Sequence, residues 1–348
     1  MGGDIMIVLD FKKYSLSDII NNFTTDLAQT SYGKMVLAFL KEWNTKKDSF
    51  IIKSSGTTGP IKEIDFTRAS LVQSAKITLK AFDLTEDSIL ISALPLSFVA
   101  GKMMLVRAII ANCKVLLFEP KANPIEKLKI RSSFAAFTPY QLQHILQESP
   151  DKLALIDTVI IGGSKVDSKL SDILERLDNR YFETFGMSET LTHVAIRPIN
   201  GVDMSEYFTM LDGFSFTVND DQCLQIKAAH LGESSIITTD IVEQINERQF
   251  LWLGRIDNVV NTGGVKVYPE NIERKLLNDI DEAFIISKVD DDLLGEKVIL
   301  VIESEKHFSI TDFDFSALSK FETPKEVHIV KQLPRNNNGK IIRLNTNE

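Results

Sequence analysis

The densest chemistry in the sequence lies in IIKSSGTTGPIK, residues 51–62, where two β-branched residues lead into Ser54, Ser55, Gly56, Thr57, Thr58 and Gly59, with Lys62 shortly after. Small residues let backbone N–H groups approach phosphate oxygens, the hydroxyls add donors and Lys62 adds a charge, so a polyphosphate is the natural ligand. An ordinary Gly-Thr turn is the plain alternative. A Walker-type loop is disfavoured, because Gly59 is followed by Pro60, Ile61, Lys62 and Glu63 in place of a Gly-Lys-Ser/Thr ending. Further groups able to do chemistry follow: Gly162, Gly163 and Ser164 after a β-branched run, Glu189 in YFETFGMSET, Asp240 in TTDIVE, Arg255 and Asp257 in GRID, and Lys340 after three asparagines and a glycine. Read singly they have bland meanings: a turn, a solvated loop acid, a surface cation, a turn former and a solvated lysine.

These groups need elements to position them. From Phe50 onward, brief β-rich runs (SILISAL, KVLLFEP, SSFAAFTP, DTVIIGG, RYFETFG) alternate with amphipathic helical stretches, the pattern of a parallel α/β sheet. Before residue 50 the spacing of Leu16, Ile19, Ile20 and Phe23, then Met35, Leu37, Ala38 and Leu40, is helical. After His193 the helical signal fades, and runs such as HVAIRPI, CLQIKAA and QFLWLGRI, separated by turn pairs, predict an antiparallel β section. Beyond Arg255 come a Gly-Gly turn, a helix near Pro269 and the strand-like runs EKVILVIES and EVHIVKQL. The fold class expected is therefore α/β, with a large N-terminal domain over 1–256 and a small α+β C-terminal domain over 257–348.

Bulk properties bound the function. The chain has 348 residues, 44% hydrophobic and 25% charged, which suits a globular protein with two domains. With 39 Lys and Arg against 48 Asp and Glu, the net charge of −9 disfavours a general nucleic-acid or anionic-membrane surface. Cys113 and Cys223 are far apart and lack ligand spacing, so neither a disulfide framework nor a zinc site is indicated. The start, MGGDIMIVLDFKKYS, lacks the basic region and apolar core of a signal peptide, and no apolar run approaches membrane-spanning length. A cytoplasmic protein without membrane insertion is expected.

Taken in order, the motifs resemble those of the acyl-adenylate-forming superfamily, which contains acyl-CoA ligases, peptide-synthetase adenylation domains and luciferases. SSGTTGPIK is similar to its phosphate loop, although Pro60 stands one place earlier than usual, with Ile61 before Lys62. IIGGSKV looks like the segment lining the adenine, through Gly162, Gly163 and Ser164. YFETFGMSET resembles the Tyr-Gly-x-Thr-Glu motif, Phe185 covering the adenine, Gly186, Met187 and Ser188 completing the ATP-binding run, and Glu189 supplying a carboxylate to magnesium. TTDIVE is similar to the Thr-Gly-Asp segment, Asp240 accepting from the ribose hydroxyls. GRIDNVVNTGGVKVYPENIE resembles the Gly-Arg-x-Asp stretch, in which Arg255 donates to the ribose and Asp257 is the hinge of a mobile small domain. LPRNNNGKIIR looks like the closing motif, whose lysine, here Lys340, enters the site during adenylation.

The resemblance implies ATP, Mg2+ and CoA, with Lys340 and Glu189 catalytic. Only some fifty residues precede the phosphate loop, fewer than in typical members. That form, with ALPLSFVAGKMMLVRAI, FTPYQLQ and GMSETLTHVAIR, looks like the compact o-succinylbenzoate-CoA ligases of bacterial menaquinone synthesis. A CoA ligase for another aromatic or fatty acid, or a stand-alone adenylation domain loading a carrier protein, is the alternative. Phe98 stands where many relatives have a histidine, so a gating role there is apolar. A second, non-activated carboxylate needs a buried cation or several donors, for which Lys102, Arg107 and His193 are candidates. Their plain alternatives are a solvated helix face for the first two and a satisfied strand histidine for the third. Thr138, Tyr140 and Gln141, at a strand-to-helix turn, are further candidates for the acid pocket. The partners implied are small molecules, and a homo-oligomer is compatible with the sequence.

Overall fold

The computed structural model describes residues 6–45, 47–53, 63–232, 235–277, 279–335, 341 and 343. Two units are distinguished: residues 1–166, 173–215 and 227–236 make the first, and residues 167–172, 216–226 and 237–348 the second. The first unit starts with strand β1 (Ile7–Asp10) and helices α1 (Leu16–Asn22), α2 (Thr24–Leu27) and α3 (Ser31–Asn44). Ser15 and Thr30 cap α1 and α3 by accepting from Asp18 N and Gly33 N, satisfying donors that a helix start leaves open. Along α3, Tyr32, Val36, Leu37, Phe39, Leu40 and Trp43 are buried. Their three-to-four spacing puts them on one face, and burying each contributes about 1.5–3 kcal/mol.

A hairpin follows, β2 (Ser49–Lys53) against β3 (Glu63–Thr67), antiparallel and in register from Ser49↔Thr67 to Lys53↔Glu63. Arg68, directly after it, lies over the rings of Trp43 and Phe50 at 4.3 and 5.1 Å. Its Nε and Nη2 donate to the carbonyls of Lys47 and Trp43, both at 2.9 Å.

The remaining elements alternate as the sequence predicts: α4 (Arg68–Ala81), β4 (Ile89–Ser92), α5 (Val99–Ala111), β5 (Lys114–Leu117), β6 (Ser132–Phe137), α6 (Pro139–Glu148), α7 (Pro150–Leu153), β7 (Ile156–Ile161), α8 (Ser168–Leu174), whose residues 168–172 belong to the second unit, β8 (Arg180–Gly186), β9 (His193–Pro198) and β10 (Phe208–Met210). The sheet runs β1-β5-β4-β6-β7-β8-β9-β10. Strands β5, β4, β6, β7 and β8 are parallel, whereas β1, β9 and β10 join antiparallel. In a parallel sheet, ligand-binding loops leave the carboxyl ends of the strands. Here those ends lead into residues 93–98, 138, 162–164 and 187–190.

The second unit contains strands β11 (Ser215–Val218), β12 (Cys223–Lys227), β13 (Ile236–Gln244) and β14 (Gln249–Arg255), ordered β14-β13-β12-β11. It continues with β15 (Val260–Thr262), β16 (Val265–Val267), α9 (Pro269–Leu276), β17 (Phe284–Asp291), β18 (Gly295–Glu303) and β19 (Glu326–Val330). These form a sheet in the order β16-β15-β18-β17, with β19 parallel to β18. One core beneath it gathers Val260, Ile272, Leu276, Ile286, Val298 and Leu300. Among the described residues, no helix is long and apolar enough to cross a membrane.

Candidate functional site

In the first unit the carboxyl ends of β6, β7 and β8 bring several of the expected residues together. Gly162 N donates to Phe137 O at 3.1 Å, and a Cβ added at Gly163 would lie 3.6 Å from Thr138 Cγ2, so the Gly162–Ser164 turn adjoins Thr138. Glu183, buried on β8, holds the far side of that turn. Its Oε1 accepts from Val166 N at 2.9 Å, and its Oε2 accepts from Arg197 Nε and Nη2 at 3.0 and 2.6 Å. The register pairs Glu183 with Arg197, which explains why neither drew notice from the sequence alone. Thr138 caps α6 by accepting from Gln141 N, while Gln141 Nε2 donates to the carbonyls of Ala93 and Lys121. Gln141 thus ties helix to strand. Tyr140 is half-exposed, edge-on to His144.

Beyond β8 the chain turns sharply. Phe185 meets Phe208 edge-to-face with centroids 5.7 Å apart. At Gly186 a Cβ would fall 2.5 Å from Thr192 O and 2.6 Å from His193 Cα, so no other residue fits without moving backbone. Ser188–Thr190 form one 3-10 turn, closed by Met187 N donating to Thr190 Oγ1 at 3.0 Å and Thr190 Oγ1 to Thr192 O at 2.8 Å. Leu191, buried, is held at φ 65°, ψ −40°, a strained conformation costing about 1–3 kcal/mol that its surroundings enforce. Glu189 lies exposed on this turn.

Helix α5 is apolar nearly all round and correspondingly buried. A Cβ at Gly101 would lie 2.5 Å from Pro95 O, so glycine is what lets the helix close on the Leu94-Pro95 turn. Phe98 is its N-cap residue and partly exposed. Lys102 is half-buried, its Nζ 3.4 Å from Ile51 O, and burial lowers its pKa. Arg107 corrects the alternative of a solvated helix face: it is 2% exposed, because α5 has no solvated side at that turn. Its Nη2 donates to Thr192 Oγ1 at 2.9 Å, and its Nε has no hydrogen-bond partner among the described residues. Burial pulls the guanidinium down to about 10.

His193 is buried beside it, with Nδ1 3.2 Å from Thr192 Oγ1 and Nε2 3.3 Å from Thr78 Oγ1. Thr192 Oγ1 accepts from Arg107, so its proton is available to Nδ1. Nε2–H then points to Thr78, whose hydroxyl in turn donates to Ser74 O at 3.4 Å. The chain of donors assigns a neutral imidazole with the proton on Nε2. Burial, then the charge of Arg107, push the His193 pKa well below its ordinary value.

The second unit holds the other candidates. On the hairpin β13–β14, Asp240 and Arg255 are register partners. Asp240 Oδ1 accepts from the Trp252 indole at 2.9 Å; a hydrogen bond to a charged group is worth about 1.5–3 kcal/mol and fixes the carboxylate. Trp252 is a supporting residue that sequence reasoning missed. It reaches Asp240 across the hairpin beside the bulge between Ile241 and Val242. Arg255 Nη2 lies 3.3 Å from Asp257 Oδ2 in the 3-10 turn Ile256–Asn258. Ser54, Ser55, Gly56, Thr57, Thr58, Gly59, Lys62 and Lys340 lie outside the described residues.

The AMP-binding enzyme family matches this sequence over residues 4–221. The chain belongs to the AMP-binding enzyme family. A solved relative, the acyl-CoA synthetase (AMP-forming)/AMP-acid ligase II-like protein from Dyadobacter fermentans, superposes with a TM-score of 0.66 at 30% identity, covering 97% of each chain. The 2-succinylbenzoate–CoA ligase of Listeria monocytogenes is 25% identical over 347 residues, 91% of this AMP-binding enzyme and 73% of the relative. The o-succinylbenzoate coenzyme A synthetase of Bacillus subtilis, solved with ATP and magnesium ion, shares the fold with a TM-score of 0.70 at 20% identity, over 84% of this chain and 68% of that one.

Proposed function

We propose that this AMP-binding enzyme is an acid–thiol ligase that converts a carboxylic acid and ATP into an acyl-adenylate and pyrophosphate, then passes the acyl group to CoA. The acid we assign is 2-succinylbenzoate. The relatives from Listeria and Bacillus, so named, support that choice, and the observation that carries it is Arg107. Among the described residues no carboxylate pairs with Arg107, and a buried guanidinium left without one is destabilising by several kcal/mol. A substrate with a second, unreacted carboxylate supplies the missing anion, and Thr192 and neutral His193 keep the arginine aimed while offering no competing charge.

In this reading the acid's reacting carboxylate attacks the α-phosphorus of ATP and pyrophosphate leaves. Two anions must meet, so neutralising charge is the main task. The hydroxyl-rich segment Ser54–Lys62 holds the departing phosphates and Lys340 bridges carboxylate and α-phosphate. Asp240 and Arg255 take the ribose hydroxyls, and Phe185 with the Gly162–Ser164 turn receives the adenine. Glu189 is an exposed hard-oxygen ligand, and among the described residues no cluster of three or more His, Cys, Asp and Glu could hold a metal. A magnesium ion, which takes one or two carboxylates and fills its shell with phosphate oxygens and water, fits that arrangement when it arrives with ATP. Bound there, it would add charge neutralisation at the phosphates. The thiol then attacks the adenylate carbonyl, and AMP leaves. We assign the small mobile domain to residues 257–348, swinging about Asp257.

The test is pyrophosphate release from ATP with 2-succinylbenzoate, benzoate and a medium-chain fatty acid, with CoA absent and then present. Fastest release with 2-succinylbenzoate, and loss of that preference in Arg107→Met, is the expected result. Equal or faster turnover of a monocarboxylate by the wild type overturns the assignment of the acid. Release without any CoA-dependent thioester points to loading of a carrier protein instead.

A further inference from the structure

A line of hydrogen bonds in the first unit runs from helix α4 to the guanidinium of Arg107, and its two ends differ. At the inner end, Ser74 and Thr78 have no exposed surface. Thr78 Oγ1 donates to Ser74 O, one helical turn back, at 3.4 Å and lies 3.3 Å from His193 Nε2. At the outer end Thr192 is only partly buried. Its Oγ1 accepts from Arg107 Nη2 at 2.9 Å and lies 3.2 Å from His193 Nδ1. The Phe82 ring meets the imidazole edge-on, with centroids 6.4 Å apart. With the ring so packed, the remaining freedom is where its one proton sits, and a neutral imidazole has two choices. With the proton on Nε2, each donor in the line has an acceptor: Thr192 gives to Nδ1, Nε2 gives to Thr78, and Thr78 gives to Ser74 O. With the proton on Nδ1, Thr192 Oγ1 accepts from both Nδ1 and Arg107, and its own proton has no acceptor among the described residues.

We infer that Thr78 is a positioning residue for the acid's second carboxylate: by accepting from Nε2 it selects the tautomer of His193, which leaves the Thr192 oxygen to Arg107 and fixes the direction of the guanidinium. The inference rests on the proposed binding of that carboxylate by Arg107. Thr78 is able to act as the acceptor because its own proton is taken up within its helix, the back-bond to the i−4 carbonyl that threonine readily forms there. A buried N–H without an acceptor costs more than the bond itself contributes, so removing the Thr78 oxygen moves the imidazole proton to Nδ1. Thr192 Oγ1 then serves two donors at once. Arg107, buried and with its Nε unpartnered among the described residues, shares the one side-chain bond that holds it. Its aim is thus set from α4, two side chains away.

The experiment reads the imidazole and the kinetics separately in the full chain. Nitrogen-15 spectra of histidine-labelled protein without substrate, with His193→Gln identifying the signal, are expected to show His193 protonated on Nε2 in the wild type and in Thr78→Ser, and on Nδ1 in Thr78→Val. In pyrophosphate release, Thr78→Val is expected to raise KM for 2-succinylbenzoate about three- to tenfold, the scale of one net hydrogen bond, with kcat and the KM for ATP near wild type. Benzoate lacks the second carboxylate, so its KM should not move. Thr78→Ser keeps the acceptor and should restore the wild-type KM, and in an Arg107→Met background Thr78→Val should add nothing. A wild-type His193 protonated on Nδ1 overturns the inference, and that measurement needs no variant to fold. So does an unchanged or lowered KM for 2-succinylbenzoate in Thr78→Val, an equal rise for benzoate, or the same rise in the Arg107→Met background. A wild type that handles benzoate as well as 2-succinylbenzoate, with His193 protonated on Nε2, overturns the assignment of the acid and this role for Thr78 with it.

Discussion

Arg107 and His193 occupy one polar pocket within an apolar surround, and the hydrogen-bond chain through Thr192 and Thr78 decides how they share it. One consequence is a pH dependence. The folded pKa of His193 lies well below that of the unfolded chain, so between those two values the unfolded state binds the extra proton. Stability therefore rises with pH across that window, by at most about 1.4 kcal/mol per pH unit, and His193 contributes no slope above its unfolded pKa of about 6.5. Denaturant unfolding of wild type and His193→Gln from pH 7.5 to 5 checks this. The wild type is expected to lose more stability below pH 6.5 than the variant, and parallel curves would count against a buried neutral imidazole.

At the scale of elements, the turn from β8 to β9 is the most constrained part of the first unit, with Gly186 pressed on Thr192 and His193 and Leu191 in a strained conformation. Gly186→Ala is expected to cost about 1–3 kcal/mol, the usual penalty of overpacking, and to displace Phe185 and Glu189 together. The check is a thermal melt beside pyrophosphate release: activity should fall by more than the loss of folded protein accounts for. Most of these elements were legible in the sequence. Strands β4 to β9 are apolar runs bounded by turn residues, a local signal. Strands β1, β3, β15, β16 and β17 were not read. β1 is a short apolar run whose partner β5 is distant in sequence, and β17 pairs with β18 through a turn at residues 292–294 that lacks an Asn-Gly signature. Supporting contacts escaped for the same reason: Glu183 with Arg197, Trp252 with Asp240 and Thr78 with His193 become neighbours only through register or tertiary packing. Motif residues such as Glu189 and Asp240 carry their own local wording. Arg107, in contrast, takes its meaning from the burial of α5, which spacing alone left open.

For the whole molecule, the proposed reaction needs one site to serve two chemistries in turn, and Asp257 is the position proposed to allow it. The residue sits exposed in a 3-10 turn, a conformation whose φ proline can adopt. Asp257→Pro is therefore expected to fold while losing the dihedral freedom that a hinge requires. Measured separately, adenylation and thioester formation should diverge by more than about tenfold, one of them staying near wild type. Unchanged rates for both would remove Asp257 as a hinge.

The hairpin β2–β3 has a thermodynamic meaning for the segment it carries. Residues 54–62 begin and end on the paired neighbours Lys53 and Glu63, and an isolated two-stranded hairpin is only marginally stable in water. Here Arg68, clasped between two aromatic rings and two carbonyls, secures it from below. Bringing together the ends of a segment this long has an entropic penalty of about 2 kcal/mol. Folding has already met that penalty before any nucleotide arrives, so a ligand held by this segment keeps that much more of its intrinsic affinity, about thirtyfold in dissociation constant.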